Sequence, residues 1–198
     1  MGTASVEQFR EFAGAVIRSL PDNVDSNVMQ GWIENQESLR KILREALTPN
    51  GEIIKNIFTL SVNYSRTVED GIKAGKYDWS NSDITSGHFP TKHCPGSEEG
   101  VKIELVHFGK NMNTEDVLSE LSKKGLRPAE LHDLLVLGEK HSDLQREFPI
   151  IALGSVWQAP DGNRRVPYLY GHGSERSLDL SWVGSRWIGS CRFAAVRK

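Results

Sequence analysis

The chain has 198 residues, of which 38% are hydrophobic and 25% charged, and its formal net charge is -2. This length suits one domain, or one domain with an appendage, of an ordinary soluble globular protein. A dedicated nucleic-acid-binding protein is usually strongly basic, so we do not expect nucleic acid as the partner. No apolar run approaches the roughly 18 residues of a membrane span, and the N-terminus lacks the basic and apolar regions of a secretory signal. We therefore expect a cytoplasmic protein, with a virion or a cell surface as the alternative.

Residues 1–50 are predicted to form a small N-terminal helical region. Apolar residues recur at spacings of three and four over residues 5–20, from about residue 26 to residue 33, and over residues 37–47, which indicates three amphipathic helices. A Thr-Pro-Asn-Gly run at residues 48–51 then ends the helical region. The apolar stripe of such a unit is normally buried. We expect it either to dock on the rest of the chain or to form a homo-oligomer.

Residues 51–198 are predicted to form the second, larger domain. A β-branched, alternating stretch predicts a strand over residues 53–62, and residues 68–74 are expected to form a short helix. Residues 79–100 have the polar, glycine- and proline-rich composition of a long loop. This loop contains His88, His93 and Cys94, but no second pair of ligands accompanies them, so no metal site is predicted. Two cysteines, Cys94 and Cys191, are too few for a disulfide framework.

An α+β order follows from residue 101 onward. A strong alternation predicts a strand over residues 101–108, and a helix capped at Asn113 or Thr114 follows it and ends near Lys123. We expect a second helix to open at Arg127–Pro128, because proline suits a first helical turn, and to end near Gly138. Four strands are then predicted, over residues 150–157, 165–170, 177–182 and 191–197.

The C-terminal segment combines regularly placed apolar residues with residues that share no chemical theme. The regular positions are Leu178, Leu180, Trp182, Trp187, Phe193 and Val196. Aromatic residues on strands are typical of a sheet core. Tyrosine, tryptophan and arginine are also enriched at binding hot spots, with serine and glycine as adaptable neighbours. We expect Trp182 and Trp187 to anchor the sheet, while the residues between them face a ligand.

Two other classes of function stay open at this point. A nucleophilic set of Cys191, His172 and Asp179 can be drawn, which gives a modifying enzyme or hydrolase as an alternative. After residue 149 the chain carries seven of the 24 basic residues and three of the 26 acidic ones, so this quarter has a charge of +4 and the rest -6. A nucleic-acid-binding module that uses this basic, aromatic quarter is the other alternative.

The order of elements from residue 101 resembles the C-type lectin fold, in which the first and last strands pair. The pattern L-x-L-x-W-x4-W-x4-RF-x-AVRK at residues 178–198 is similar to the variable region of target proteins of diversity-generating retroelements. In that family an error-prone reverse transcriptase rewrites adenine-containing codons of a protein with this fold. The calcium ligands of lectins and the paired cysteines of the related formylglycine-generating enzymes have no counterpart here.

The resemblance implies a binding protein without catalytic activity, cofactor or metal. Its variable region would cover about residues 165–198, and its partner would be a protein or another macromolecule. The variable, ligand-binding role would fall on Asp179, Ser181, Val183, Gly184, Ser185, Arg186, Ile188, Gly189, Ser190 and Cys191, with Tyr168, Tyr170, His172 and Ser174 as weaker candidates. The resemblance also implies a C-type-lectin-like domain, with two helices and a mainly antiparallel sheet, after the N-terminal helical region.

Overall fold

A computed structural model describes residues 5–18, 25–39 and 57–197 of the chain. The chain divides into two compact units, residues 1–53 and residues 54–198. In the described part of the first unit, α1 spans Val6–Arg18 and α2 spans Ser26–Glu34, and residues 36–39 are also helical. These helices confirm the first two that the sequence predicts. The predicted third helix at residues 37–47 lies mostly outside the described residues.

Local hydrogen bonds fix where the two N-terminal helices begin. Ser5 and Gln8 bond each other reciprocally at the start of α1, with the Ser5 amide donating to Oε1 of Gln8 and the Gln8 amide donating to Oγ of Ser5. This pair is a capping box. The Asp25 carboxylate accepts the amides of Asn27 and Val28 at the start of α2. Several large apolar side chains are exposed on both helices, namely Val6, Phe12, Ile17, Val28, Met29 and Ile33.

The second unit is an α+β domain with a mixed sheet. Its described helices are α3 (Val68–Gly75), α4 (Thr114–Lys123), α5 (Leu131–Lys140) and α6 (Leu144–Glu147). Its described strands are β1 (Ile57–Asn63), β2 (Trp79–Ser80), β3 (Ser97–His107), β4 (Leu126–Pro128), β5 (Ile150–Ile151), β6 (Trp157–Gln158), β7 (Arg164–His172), β8 (Glu175–Trp182) and β9 (Arg192–Arg197).

All of these strands belong to one sheet, in the order β1-β3-β9-β5-β7-β8-β2, with β4 beside β9 and β6 beside β7. The pairs β5–β9 and β2–β8 are parallel, and the other pairs are antiparallel. The predicted pairing of the strand near residue 101 with the last strand is confirmed, since Ile103 of β3 lies opposite Val196 of β9.

The sheet is covered on both faces, as successive residues of β9 show. Ala194 and Val196 belong to one buried cluster, together with leucines of α5, and Phe193 and Ala195 belong to a second one, together with Val117 and Leu121 of α4. Because side chains alternate along a strand, these clusters lie on opposite faces of the sheet. We call them the α5 face and the α4 face.

Local signals explain the start of α4. The Asn113 side chain accepts the amide of Asp116 at 2.7 Å, which caps the helix. Acidic Glu115 and Asp116 lie in the first turn and Lys123 in the last, as the helix dipole favours. The predicted capping residue and the predicted end of this helix are therefore both confirmed.

The prediction that Arg127–Pro128 opens the second helix is wrong. Residues 126–128 form β4 beside β9, and α5 begins only at Leu131. Proline lacks an N–H donor, so it is tolerated both in a first helical turn and in a sheet position that needs no donor. The sequence signal therefore fits both structures. The sequence pattern does not predict the short helix α6.

The prediction of one strand over residues 150–157 is also wrong, because the chain leaves the sheet after Ile151. The Gly154 amide donates to the carbonyl of Ala129 at 2.8 Å, and the Ser155 hydroxyl accepts the amide of Leu131 at 2.9 Å. A Cβ atom at Gly154 would lie 2.5 Å from that Ala129 oxygen, so only glycine fits. Residues 154 and 155 therefore hydrogen-bond to residues at the start of α5 and do not continue β5.

The predicted loop over residues 79–100 contains two strand segments, β2 and the beginning of β3. β2 is only two residues long and pairs with β8, nearly one hundred residues further along the chain, so local alternation does not reveal it. The helices of the described residues include none that is long and apolar enough to cross a membrane.

Candidate binding surface

Two neighbouring parts of the C-terminal segment carry the residues singled out from the sequence. The first part is the β7–β8 hairpin, in which Tyr168 lies opposite Asp179, Tyr170 opposite Ser177, and Val166 opposite Ser181. Directly opposite residues share a face of the sheet, and so do residues two apart on one strand. Val166 belongs to the buried cluster of the α4 face. The side chains of Tyr168, Tyr170, Asp179 and Ser181 therefore lie on the α4 face as well.

This hairpin surface becomes more exposed toward the turn. Tyr168, Tyr170, Asp179 and Ser181 are half-buried, whereas His172 and Ser174 are exposed at the hairpin end. The Tyr168 and Tyr170 rings stack with centroids 5.1 Å apart and an interplanar angle of 16°. Burial, and secondly the charge of Asp179, raise the pKa of Tyr168 to about 12. The hydroxyl therefore stays protonated and can donate to that carboxylate.

The second part is the loop of residues 183–191, which is attached mainly through its backbone. The Thr114 hydroxyl donates to the carbonyl of Val183 at 2.5 Å and accepts the indole N–H of Trp187 at 2.9 Å. Trp187 and Met112 also exchange two backbone hydrogen bonds, of 2.9 and 3.0 Å. These contacts fix the middle of the loop to the start of α4.

Further attachments follow on the C-terminal side of Trp187. The Gly189 amide donates to the side chain of Asn111 at 2.9 Å, and its carbonyl lies 2.7 Å from Nε2 of His107. The Cys191 amide donates to the carbonyl of Ile188 at 3.0 Å. The loop is thus attached to other parts of the chain at residues 183, 187 and 189, and Trp187 alone contributes its side chain to one of these bonds.

The side chains between the attachment points are the accessible ones. Arg186, Ile188 and Ser190 are exposed, with Ile188 at 58%, and Ser185 is half-buried. Trp187, by contrast, is only 5% exposed and packs edge-on against Phe193 in the cluster of the α4 face. The loop therefore alternates between fixed backbone and replaceable side chains.

Two residues assigned to the ligand-binding set lie in the core instead. Val183 and Cys191 are each only 7% exposed and belong to the buried cluster of the α4 face. Both flank the loop where it joins the sheet, and an apolar side chain is stabilised there by burial. Val183 and Cys191 are therefore core residues and not the surface residues that the sequence predicts, and neither can be replaced freely.

Two glycines of the same set are sterically constrained. A Cβ atom at Gly189 would lie 3.2 Å from backbone atoms of Gly109 and Lys110, which is closer than ordinary van der Waals contact. A Cβ atom at Gly184 would lie 2.8 Å from the indole of Trp182. The indole can move because Trp182 is exposed, so Gly184 tolerates replacement better than Gly189 does.

Trp182 itself does not anchor the sheet, contrary to the expectation from the sequence. It is 55% exposed and lies opposite Arg165 of β7, which in turn lies opposite Trp157 of β6. Trp182 is the last residue of β8 and lies on the same side of the sheet as Leu178 and Leu180, opposite to the α4 face. Only Trp187 of the pair is buried.

Sequence reasoning missed two further residues on the hairpin surface, Trp79 and Asn81. Trp79 of β2 lies in register with Ser177 of β8 and is 48% exposed, so it extends the surface of Tyr170 across the sheet edge. The Asn81 amide donates to the Asp179 carboxylate at 2.8 Å. Both residues come from the segment predicted as loop, and the Trp-Ser-Asn run carries no periodic signal that links it to β8.

The residues of the nucleophilic set predicted for an enzyme do not lie together. His172 is exposed at the end of β7, whereas Cys191 is buried directly before β9. β5 lies between β7 and β9, so about 10 Å separates the two strands. Burial also raises the pKa of the Cys191 thiol, which disfavours the nucleophilic thiolate.

The two histidines of residues 79–100 contact different aromatic side chains and do not lie together. His88 stacks on Trp157 with ring centroids 4.4 Å apart, and His93 stacks on Tyr64 at 4.0 Å. Cys94 is exposed and unpaired. Over residues 5–18, 25–39 and 57–197, no cluster of three or more His, Cys, Asp or Glu side chains could hold a metal ion.

Half of the described arginines of the basic C-terminal quarter are already compensated. Arg165 pairs with Asp161 at 2.6 Å and Arg197 with Glu104 at 3.0 Å. Arg176 is buried and donates to backbone carbonyls. The charge available to a phosphate backbone is therefore smaller than the sequence count suggests.

Comparison of the chain with protein-family models, curated proteins and solved structures finds no match. The function is therefore inferred from the residues and geometry of this surface.

Proposed function

We propose that residues 51–198 form a binding module with a C-type-lectin-like fold, and that the protein is a variable protein of a diversity-generating retroelement. Replaceable side chains on the loop of residues 183–191 and on the hairpin surface contact a protein or another macromolecule. The observation that carries this proposal is the alternation within the loop, where backbone attachments hold the chain and exposed side chains lie between them. A diversified surface needs this separation of structure from recognition.

Energetics support the proposal. Exchanging a surface side chain that makes no specific contact typically changes stability by about 0.5 kcal/mol or less. Removing a large buried aromatic side chain such as Trp187 costs about 3–5 kcal/mol. Residues 185, 186, 188 and 190 can therefore change together without unfolding the domain, whereas residue 187 cannot.

The topology is compatible with the lectin-like assignment. Two principal helices, α4 and α5, follow β3 in the chain, and the last strand β9 returns to pair with β3. The assignment to the C-type lectin fold itself rests on the resemblance of element order and of the C-terminal pattern. Fold alone does not define function, so the binding role rests on the surface.

The DNA around the gene tests the retroelement part of the proposal. We expect a near-copy of the codons for residues 165–198, with differences concentrated at adenines, beside a gene for a reverse transcriptase. The adenine differences should fall on codons of the exposed loop and hairpin residues and should spare the codon of Trp187. A gene without such a copy, or a copy that differs equally at all bases, would overturn this part.

A library of variants tests the display part. Residues 185, 186, 188 and 190 are randomised together in the full chain, and the fraction of folded clones is measured by protease resistance on a yeast surface. The matched library randomises Thr114, Val183, Trp187 and Cys191, which are also four residues but are buried. We expect most clones of the first library and few of the second to remain folded. Equal fractions would contradict the proposal.

Self-association through the N-terminal helices would make the binding multivalent. The apolar side chains of α1 and α2 need a partner, for which we propose a second copy of the chain, and linked sites raise avidity without new contacts. Sedimentation of the full chain is expected to show an oligomer, and Ile17→Glu with Ile33→Glu should convert it to a monomer. A wild-type chain that sediments as a monomer would exclude this arrangement.

A further inference from the structure

The hairpin surface contains an aromatic platform that continues onto the neighbouring strand. Trp79 and Tyr170 both lie in register with Ser177, one on each side of β8, so the three side chains share one face. Tyr168 stacks on Tyr170 at 5.1 Å. Trp79 is nearly half exposed, and both tyrosine rings are partly accessible. Three aromatic side chains therefore line one solvent-facing strip of the sheet.

A carboxylate without a cationic partner lies beside this platform. Oδ1 of Asp179 accepts the Asn81 side-chain amide at 2.8 Å and the Leu180 backbone amide at 2.7 Å. The charge of this carboxylate also acts on the neighbouring Tyr168 hydroxyl, whose pKa it helps to raise. Asp179 forms an ion pair with none of the residues that the structure describes. The bonds orient the carboxylate while its charge stays uncompensated.

The chain segment that contains β2 adds negative rather than positive charge. Residues 77–91, which contain β2, include Asp78 and Asp83 and have no lysine or arginine. The nearest arginine along β8, Arg176, is buried and donates to the carbonyls of Gly75, Gly138 and Ser142. Its guanidinium is thus held elsewhere. The surface is complementary to a cation.

We propose that this strip, Trp79, Tyr168, Tyr170 and Asp179 with Asn81, binds an arginine side chain of the partner protein. A planar guanidinium can lie against an aromatic ring and donate two parallel N–H bonds to a carboxylate at the same time. A lysine ammonium, a compact charge, uses only part of this arrangement. The inference rests on the proposed function, because it specifies what the binding surface takes.

Binding of a capped amino acid tests this inference directly. The probe is N-acetyl-L-arginine amide, titrated into the full chain at low salt while amide and indole signals are followed by NMR. N-acetyl-L-citrulline amide is the matched control, since it has nearly the same shape without the charge. We expect a Kd on the order of 1–10 mM for arginine, at least tenfold weaker binding of citrulline, and shifts at Trp79, Tyr170 and Asp179.

Two variants of the protein complete the test. Asp179→Asn keeps the shape and is expected to weaken arginine binding at least tenfold, because the guanidinium loses the negative charge and the second acceptor oxygen of the carboxylate. Trp79→Ala changes an exposed side chain, so the fold is not at risk, and should weaken binding severalfold. Asp116→Asn on the exposed surface of α4 is the control and should leave binding unchanged.

Four outcomes would overturn the inference. They are equal binding of citrulline, unchanged binding by Asp179→Asn, preferred binding of an uncharged probe such as a methyl glycoside, and tighter binding of N-acetyl-L-lysine amide than of the arginine probe. If only arginine binding fails, the results of the loop library and of the search for the near-copy of codons still stand. If those two tests fail while arginine binds, only the proposed function is removed.

Discussion

Two arginines ten residues apart show two opposite ways in which the C-terminal segment is held. The guanidinium of Arg176, near the start of β8, is buried and donates to the carbonyls of Gly75 and Gly138 at 2.7 Å each and of Ser142 at 2.9 Å. It also lies over the Tyr77 ring, 5.0 Å from its centroid. Arg186, in the loop, is exposed. In β8 the side chain itself holds the structure together, whereas in the loop the backbone does.

This difference between side-chain and backbone attachment determines which residues of the segment can be replaced. A side chain that satisfies buried carbonyls cannot be replaced without leaving them unpaired. A loop whose carbonyls and amides are bound by Thr114, Met112 and Asn111 keeps these bonds whichever side chains it carries at residues 185, 186, 188 and 190. One segment of about twenty residues thus contains both a position that is hard to replace and positions that are easy to replace.

The largest effect is expected from Arg176→Met. This change removes three short hydrogen bonds and leaves buried carbonyls without donors, so the free energy of unfolding should fall by at least about 3 kcal/mol. Denaturant unfolding, followed by circular dichroism, measures it. The control is Arg186→Met, which should change the free energy by about 0.5 kcal/mol or less. Similar losses for both variants would erase the distinction between the two arginines.

The next largest effect is expected from Thr114→Val. Valine has nearly the same shape, but it neither donates to the Val183 carbonyl nor accepts the Trp187 indole N–H, so two buried polar groups lose their partner. We expect a loss of about 2–4 kcal/mol in the free energy of unfolding. Thr59→Val, on the exposed side of β1, is the matched control and should be nearly neutral. A stable Thr114→Val variant would show that the loop is held by other contacts.

Local patterns of the sequence predict α1, α2, α4 and the strands β3 and β9, because caps and alternation specify them within a few residues. The pairing of β3 with β9 is expected only from the resemblance to the C-type lectin fold. The local patterns do not predict β2 or the departure at Gly154, since each depends on a contact with a remote part of the chain. The candidate surface divides in the same way. Regular spacing identifies the C-terminal segment, but only the fold separates buried Val183 from exposed Arg186.

The hairpin surface is expected to respond to pH through Tyr168. Its pKa is raised from 10.0 to about 12, first by burial and then by Asp179, so the folded state holds the proton more tightly than the unfolded state. This contribution to stability is fully present below pH 10 and is lost as the pH rises from about 10 to about 12. Asp179→Asn should lower the pKa of Tyr168 and leave it above 10, because burial remains. The pKa of Tyr168 is measured from tyrosinate absorbance, with Tyr168→Phe as the reference. An unchanged pKa in Asp179→Asn would mean that Asp179 does not act on Tyr168.

The smallest effect is expected from the triple variant Arg186→Ala, Ile188→Ala and Ser190→Ala. All three side chains are exposed and the bonds of the loop come from its backbone, so the free energy of unfolding should change by about 0.5 kcal/mol per residue or less. Amide NMR signals outside the loop should stay in place.

Gly189→Ala is the contrasting change in the same loop. It adds one methyl group, but that group would meet the backbone of Gly109 and Lys110 at 3.2 Å, so a loss of about 1–3 kcal/mol is expected. Three replaced side chains should therefore cost no more than one added methyl group. The reverse order would mean that the loop is held by its side chains, and the backbone attachments at Val183, Trp187 and Gly189 would no longer account for a replaceable surface.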